Sequence, residues 1–184
     1  MRLFKRRPRL QPVSPSQSAP PSGGSRAITL LVVVPGELTP EGSLSLQGTI
    51  QAGMVATALA DERVAAFLAS ESEPCRAMLR PLAERRETIP TRPLPAGEDD
   101  PAGLIRSFLT DYPGRTLVVI LEDDLLRGIL SVLDGVEKQD HAPPPVSPAS
   151  ITRLRIRPDL SYSARFDDTE HLDLPMGSVG GFDV

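Results

Sequence analysis

One cysteine, no tryptophan and two histidines in 184 residues remove several classes of protein at the outset. A lone Cys75 cannot build a disulfide framework within the chain. With His141 and His171 far from it, no Cys/His cluster of structural-zinc spacing can be drawn. Neither a metal nor a cofactor is expected. No apolar run approaches the roughly 20 residues of a membrane span, and Met1 to Leu10 lacks the apolar middle of a secretory signal. The expectation is a cytoplasmic protein without a transmembrane segment.

Basic charge is scarce outside the first 26 residues. That stretch holds Arg2, Lys5, Arg6, Arg7, Arg9 and Arg26 and no acid, a net +6, so the remaining residues carry net −10 within an overall −4. A body that acidic does not make a specific nucleic-acid groove, which needs clustered Lys and Arg to neutralise phosphates. Residues 1 to 26 continue into Pro15, Ser16, Ser18, Pro20, Pro21, Gly23 and Gly24, a composition with too little apolar surface to offset the entropy of ordering. They read as a disordered tail. It is either a basic tether for an anionic surface or acidic partner, or simply a solubilising leader, the commoner role of a charge block.

From Ala27 the pattern changes. Ala27 to Val34 (AITLLVVV) and Thr116 to Leu121 (TLVVIL) are unbroken apolar runs, as in strands covered on both faces. Val64 to Ala69 is a third strand. Leu44 to Ala60 places Leu46, Ile50, Met54, Val55 and Leu59 at helical spacing, and Pro74–Arg86, Pro101–Leu109 and Asp124–Leu133 read as further helices. Glu87 to Leu94, with Pro90 and Pro93, can be an edge strand at best. After a proline-rich connector, Ala142 to Pro148, the segments Ser150–Ile156 and Ser161–Phe166 form a hairpin through Pro158 and Asp159. Residues 173 to 184 read as a loose tail. Strands alternating with helices over residues 27 to 172 predict a three-layer α/β sandwich with a central, mostly parallel sheet.

Five segments in order resemble the histidine phosphatase superfamily, also called phosphoglycerate mutase-like. Its first strand ends Leu-Val-Arg-His-Gly-Glu; here the strand ends Val32-Val33-Val34-Pro35-Gly36-Glu37. Its next helix opens Leu-Thr-x-x-Gly-x-x-Gln-Ala, close to Leu44-Ser45-Leu46-Gln47-Gly48-Thr49-Ile50-Gln51-Ala52. A Ser-rich loop before an Arg-Ala pair is matched by Ser70 to Ala77. The Val-Val-Ser-His-Gly-Gly turn corresponds to Val119-Ile120-Leu121-Glu122-Asp123-Asp124. The closing hairpin is resembled by Ala149-Ser150-Ile151-Thr152 and Asp167-Asp168-Thr169-Glu170-His171-Leu172. The resemblance implies that fold, with its pocket at the C-terminal edge of the sheet, where open α/β sheets place ligands.

In that family an imidazole attacks a phosphoryl group, while a second histidine and two arginines hold the developing charge. Carried across residue by residue, the strand arginine falls on Val34 and the nucleophile on Pro35. The helix-start arginine is kept as Arg76, and the second histidine falls on Glu122. Removing a nucleophile has cost about 10^6 in rate where it has been measured in a hydrolase triad. The family's proton-donor Glu has only Glu98 as a nearby candidate, and His141 and His171 lie outside the catalytic motif positions.

Arg76 can act as an anion anchor near a helix start, but the favoured expectation is that it pairs with Glu122 or Glu37 and closes the pocket. Glu37, Glu122, Asp123 and Asp124 could hold a divalent cation, although acids at helix starts are favoured by the dipole alone; Glu122 as a covalent phospho-acceptor would need that cation too. Cys75, near a helix start, is a thiol of lowered pKa or, more commonly for a lone cysteine, packing. The expected function is therefore a catalytically inactive domain of this fold with a binding or regulatory role, its vestigial pocket marked by Arg76, Glu37 and Glu122, and its partner a protein or a small anionic ligand. The alternatives are a phosphatase or mutase working through residues outside the family set, and a scaffold subunit docked by its tail.

Overall fold

The computed structural model of the chain describes residues 26–95, 100–135 and 146–173. The tail up to residue 25, Glu98, His141, most of the proline-rich connector and residues 174–184 lie outside the described residues.

The two unbroken apolar runs form adjacent central strands, β1 (Ile28–Val33) and β4 (Thr116–Ile120), paired in parallel. Parallel to these lie β2 (Ala66–Ala69), beside β4, and then β3 (Thr91–Pro93) at the edge. On the other side of β1 the antiparallel hairpin of β5 (Ile151–Ile156) and β6 (Tyr162–Asp168) completes a six-stranded sheet in the order β3-β2-β4-β1-β5-β6. The predicted edge segment Glu87–Leu94 is thus strand only over three exposed residues, in keeping with prolines on either side that cannot donate to a ladder.

Because side chains alternate along a strand, β1 serves two cores. Leu30 and Val32 join a cluster under α3 (Pro101–Asp111) and α4 (Asp123–Asp134), with Ile105, Phe108, Leu126 and Ile129. Leu31 and Val33 join another under α1 (Leu46–Ala58) and α2 (Glu73–Arg85), with Val55, Phe67, Met78 and Leu82. Each such fully buried side chain contributes roughly 1.5–3 kcal/mol relative to exposure. Two helices on each face give the three layers that the alternation predicts.

The caps are chemically specific. Ser45 Oγ accepts from Gly48 N at 3.0 Å ahead of α1, and Asp100 Oδ1 accepts from Gly103 N at 2.9 Å ahead of α3, whose first residue is Pro101. Gly135 ends α4 in the left-handed region, at φ 66°.

The apolar spacing that marks α1 does not coincide with its buried face: Leu46 is 81% exposed and Ile50 also faces out, while Gly48, Ala52, Val55 and Ala56 are buried. The reason is proximity. A Cβ on Gly48 would fall on the Glu37 carbonyl oxygen, well inside van der Waals contact, so the helix presents its small residues to the loop after β1. Among the described residues, no helix is long and apolar enough to cross a membrane.

Candidate functional site

Parallel register brings the C-terminal ends of three strands to one level: Val33 pairs with Ile120, and Ile120 with Ala69. The chain therefore leaves the sheet side by side at Val34–Pro35, Leu121–Glu122 and Ser70–Glu71. The N-termini of α2 and α4 start at this edge, with Ser72 and Glu122 as their N-cap residues.

The loop after β1 is held from three directions. Pro35 O accepts from Ala149 N at 3.1 Å, Glu37 N donates to Gln51 Oε1 at 2.8 Å, and Ser45 N donates to Glu37 O at 2.8 Å. Gly36 is buried, and a Cβ there would meet Gln51 Oε1 and the Gly48 backbone at 2.9 Å. Gly36, Gly48 and Gln51, all in segments that carry the family resemblance, thus form a clasp between loop and helix. Val34, which the resemblance sets at the family's strand arginine, is 5% exposed and packed in the apolar cluster under α3 and α4. Glu37 is exposed beyond the clasp.

Glu122 caps α4 by position, but its side chain makes no cap bond and reaches across to the loop that follows β2. Ser70, 1% exposed, donates its hydroxyl to Glu122 Oε1 at 2.8 Å. Burial pushes the Glu122 carboxyl up, but the Ser72 hydroxyl, its own backbone N–H, Ser70 and the Cys75 thiol together outweigh this and hold it below its ordinary value. Ser72 Oγ exerts that influence without a partner of full hydrogen-bond geometry. Cys75 is wholly buried in the core under α1 and α2, which makes it packing that also serves this carboxylate. Asp123 holds Arg127 Nε at 2.8 Å, one turn on, and Asp124 is exposed. Among the described residues, no group of three or more His, Cys, Asp and Glu side chains is placed to hold a metal ion.

Arg76 is not joined to this centre by an ion pair. Its side chain is exposed, and among the described residues it makes no pair with Glu122, Glu37 or any other carboxylate, so the expected closure of the pocket is absent. Arg76 instead lines a cavity of about 310 Å³ on the β3 side of β2, together with Ser70, Glu71, Leu79, Thr91, Arg92 and Pro93. His171 sits in a short 3-10 helix, Glu170–Leu172, with Nε2 at 3.0 Å from Ala149 O. It borders a separate cavity of about 260 Å³ among Glu62, Arg153, Arg165 and Asp168. Through Ala149, whose amide holds Pro35, it supports the loop from behind.

Sequence reasoning missed Ser70, Ser72 and Cys75 as neighbours that stabilise the Glu122 charge, and it missed Arg92. The available signal for the serines was their place in the short Ser-rich loop between β2 and α2, which the resemblance had already set beside the pocket. For Arg92 there was none, since the pairing of β3 with β2 is tertiary.

No family model matches this sequence, and no curated protein matches it. Solved structures do match. Bacillus stearothermophilus YhfR superimposes with a TM-score of 0.70 at 14% identity, covering 80% of this chain and 100% of that one. Phosphoserine phosphatase from Entamoeba histolytica, in complex with 3-phosphoglyceric acid, gives 0.66 at 13% identity, over 79% of this chain and 99% of that one. Phosphoglycerate mutase from Bacillus anthracis gives 0.60 at 14% identity, over 81% and 96%. The chain shares the fold of these structures, the phosphoglycerate mutase-like fold.

Proposed function

We propose that this chain, built on the histidine phosphatase fold, acts by binding rather than by phosphoryl transfer. The observation that carries the reading is the Glu122 carboxylate, kept ionised at the sheet edge by Ser70, Ser72 and Cys75. A fixed negative charge there repels a phosphoryl group, whose transfer needs donors and cations aimed at the developing charge. Pro35 agrees with this, because the residue that leaves β1 toward the edge has neither a nucleophilic side chain nor a backbone N–H. Buried Val34 supplies packing where the family pattern has a cation.

In this reading the domain is a pseudoenzyme of the cytoplasm, and the basic residues 1 to 26 serve to place it. The test is hydrolysis of p-nitrophenyl phosphate by the full chain between about pH 5 and 8, the range in which an imidazole changes charge, with Arg76→Ala alongside. The expected result is no turnover above the variant. Turnover that Arg76→Ala abolishes would overturn the reading and require a nucleophile outside the family set.

A further inference from the structure

The cavity beside β3 has a composition that the centre does not share. Arg76 reaches it from the start of α2, and Arg92 from the exposed edge strand. The two elements are tied through β2, where Ala69 pairs with Pro93 and Ala69 O accepts from Leu94 N at 2.9 Å. Arg80, Arg106, Arg127, Arg153 and Arg165 each have a carboxylate partner. Arg76 and Arg92, like Arg85, Arg86 and Arg157, have none among the described residues, and Arg92 has only the Tyr112 hydroxyl, at 3.5 Å; what sets these two apart is that they border one cavity. Two guanidinium groups and one carboxylate, that of Glu71, line this cavity, so its wall carries a net positive charge that a bound monoanion offsets.

The remaining wall narrows the kind of anion. Leu79 and Pro93 give it apolar surface, so the anionic group is carried on an apolar body. Glu71 stands in the same wall, and Ser70, which also lines it, spends its proton on the Glu122 carboxylate at 2.8 Å. Negative charge is thus already present on the inner side, which disfavours a dianion relative to a monoanion. A volume of about 310 Å³ suits a small ligand or the end of a longer one.

We infer that the Arg76–Arg92 cavity is a binding site for a carboxylate on an apolar or aromatic body, lying to the side of the Pro35–Glu122 centre and sharing only the Ser70 wall with it. The carboxylate belongs either to a free small acid or to the C-terminus of a peptide; the chemistry is the same, and the experiment separates the sources. The inference stands whether or not the centre turns over phosphate.

The test is calorimetric titration of the full chain with benzoate, benzamide and phenyl phosphate, repeated on Arg76→Ala, Arg92→Ala and Glu122→Gln. The site predicts saturable benzoate binding, weakened about tenfold or more in each arginine variant. It also predicts no saturable binding of benzamide and no preference for phenyl phosphate over benzoate. In Glu122→Gln, benzoate affinity should be unchanged or higher. An acetylated dileucine with a free C-terminus, compared with its amide, identifies the source: tighter binding than benzoate assigns a peptide terminus, and equal or weaker binding a small acid. Absence of saturable benzoate binding, indifference to Arg92→Ala, or tighter binding of phenyl phosphate each overturns the assignment.

Discussion

Two halves of the same sheet edge treat the family pattern in opposite ways. On the α1 side, the residues that match it do mechanical work: Gly36 and Gly48 allow backbone contact, and Gln51 ties down the Glu37 amide. On the α2 and α4 side, the position that the resemblance gives to the second histidine carries Glu122, and the surrounding hydroxyls and thiol are its donors. Matching residues here are those that close packing requires. The differing ones, Val34, Pro35 and Glu122, stand where the resemblance places the reacting groups, and the proposed binding role rests on them, since a fold does not fix an activity.

The largest effect is expected on the mechanical side. Gly48→Ala places a methyl group on the Glu37 carbonyl and must push helix and loop apart, costing about 3 kcal/mol in denaturant-measured stability. A change under about 0.5 kcal/mol, the range of an ordinary surface substitution, would remove the clasp from the account.

Ser70→Ala is expected to cost less, about 1–2 kcal/mol, because it takes a hydroxyl donor from a carboxylate that keeps its other neighbours. Indifference to this change would mean that Glu122 is not held by Ser70.

Glu122→Gln sharpens the comparison through pH. The Glu122 pKa lies below its model-compound value of 4.5, so its ionised form is stabilised by folding. That contribution is full above about 4.5 and is lost as pH falls through the lower folded value. Wild type should therefore exceed Glu122→Gln in stability near neutrality, and the gap should close on acidification. A gap that widens toward low pH would reverse the sign of the site.

Arg76→Ala should matter least to stability, within about 0.5 kcal/mol, since the side chain is exposed and has no ion pair among the described residues. A loss of about 2 kcal/mol or more, the scale of a hydrogen bond to a charged group, would show that it is tied to a partner after all.

Much of the scaffold was legible in the sequence because strands buried on both faces have few ways to be written. The runs that became β1 and β4 contain almost nothing but Ile, Leu, Val and Thr. The orientation of α1 was not legible from apolar spacing, because the close approach of Gly48 to Glu37 outweighs the burial of Leu46 and Ile50. At the site, the residues at the sheet edge followed from motif order alone. What Glu122 binds did not, since its neighbours come from a strand and a helix about fifty positions earlier. The Arg76–Arg92 cavity was hidden for the same reason: its second arginine arrives on a three-residue strand placed only by pairing.

The most direct test of the centre is to follow the Glu122 carboxyl carbon by NMR through a pH titration, with and without inorganic phosphate. The account predicts a midpoint below the ordinary glutamate value that phosphate leaves unmoved, because the carboxylate holds the place a phosphoryl group would need. A midpoint raised above that value, or one that phosphate drives upward, would show that the centre still receives a phosphoryl ligand and would contradict the account.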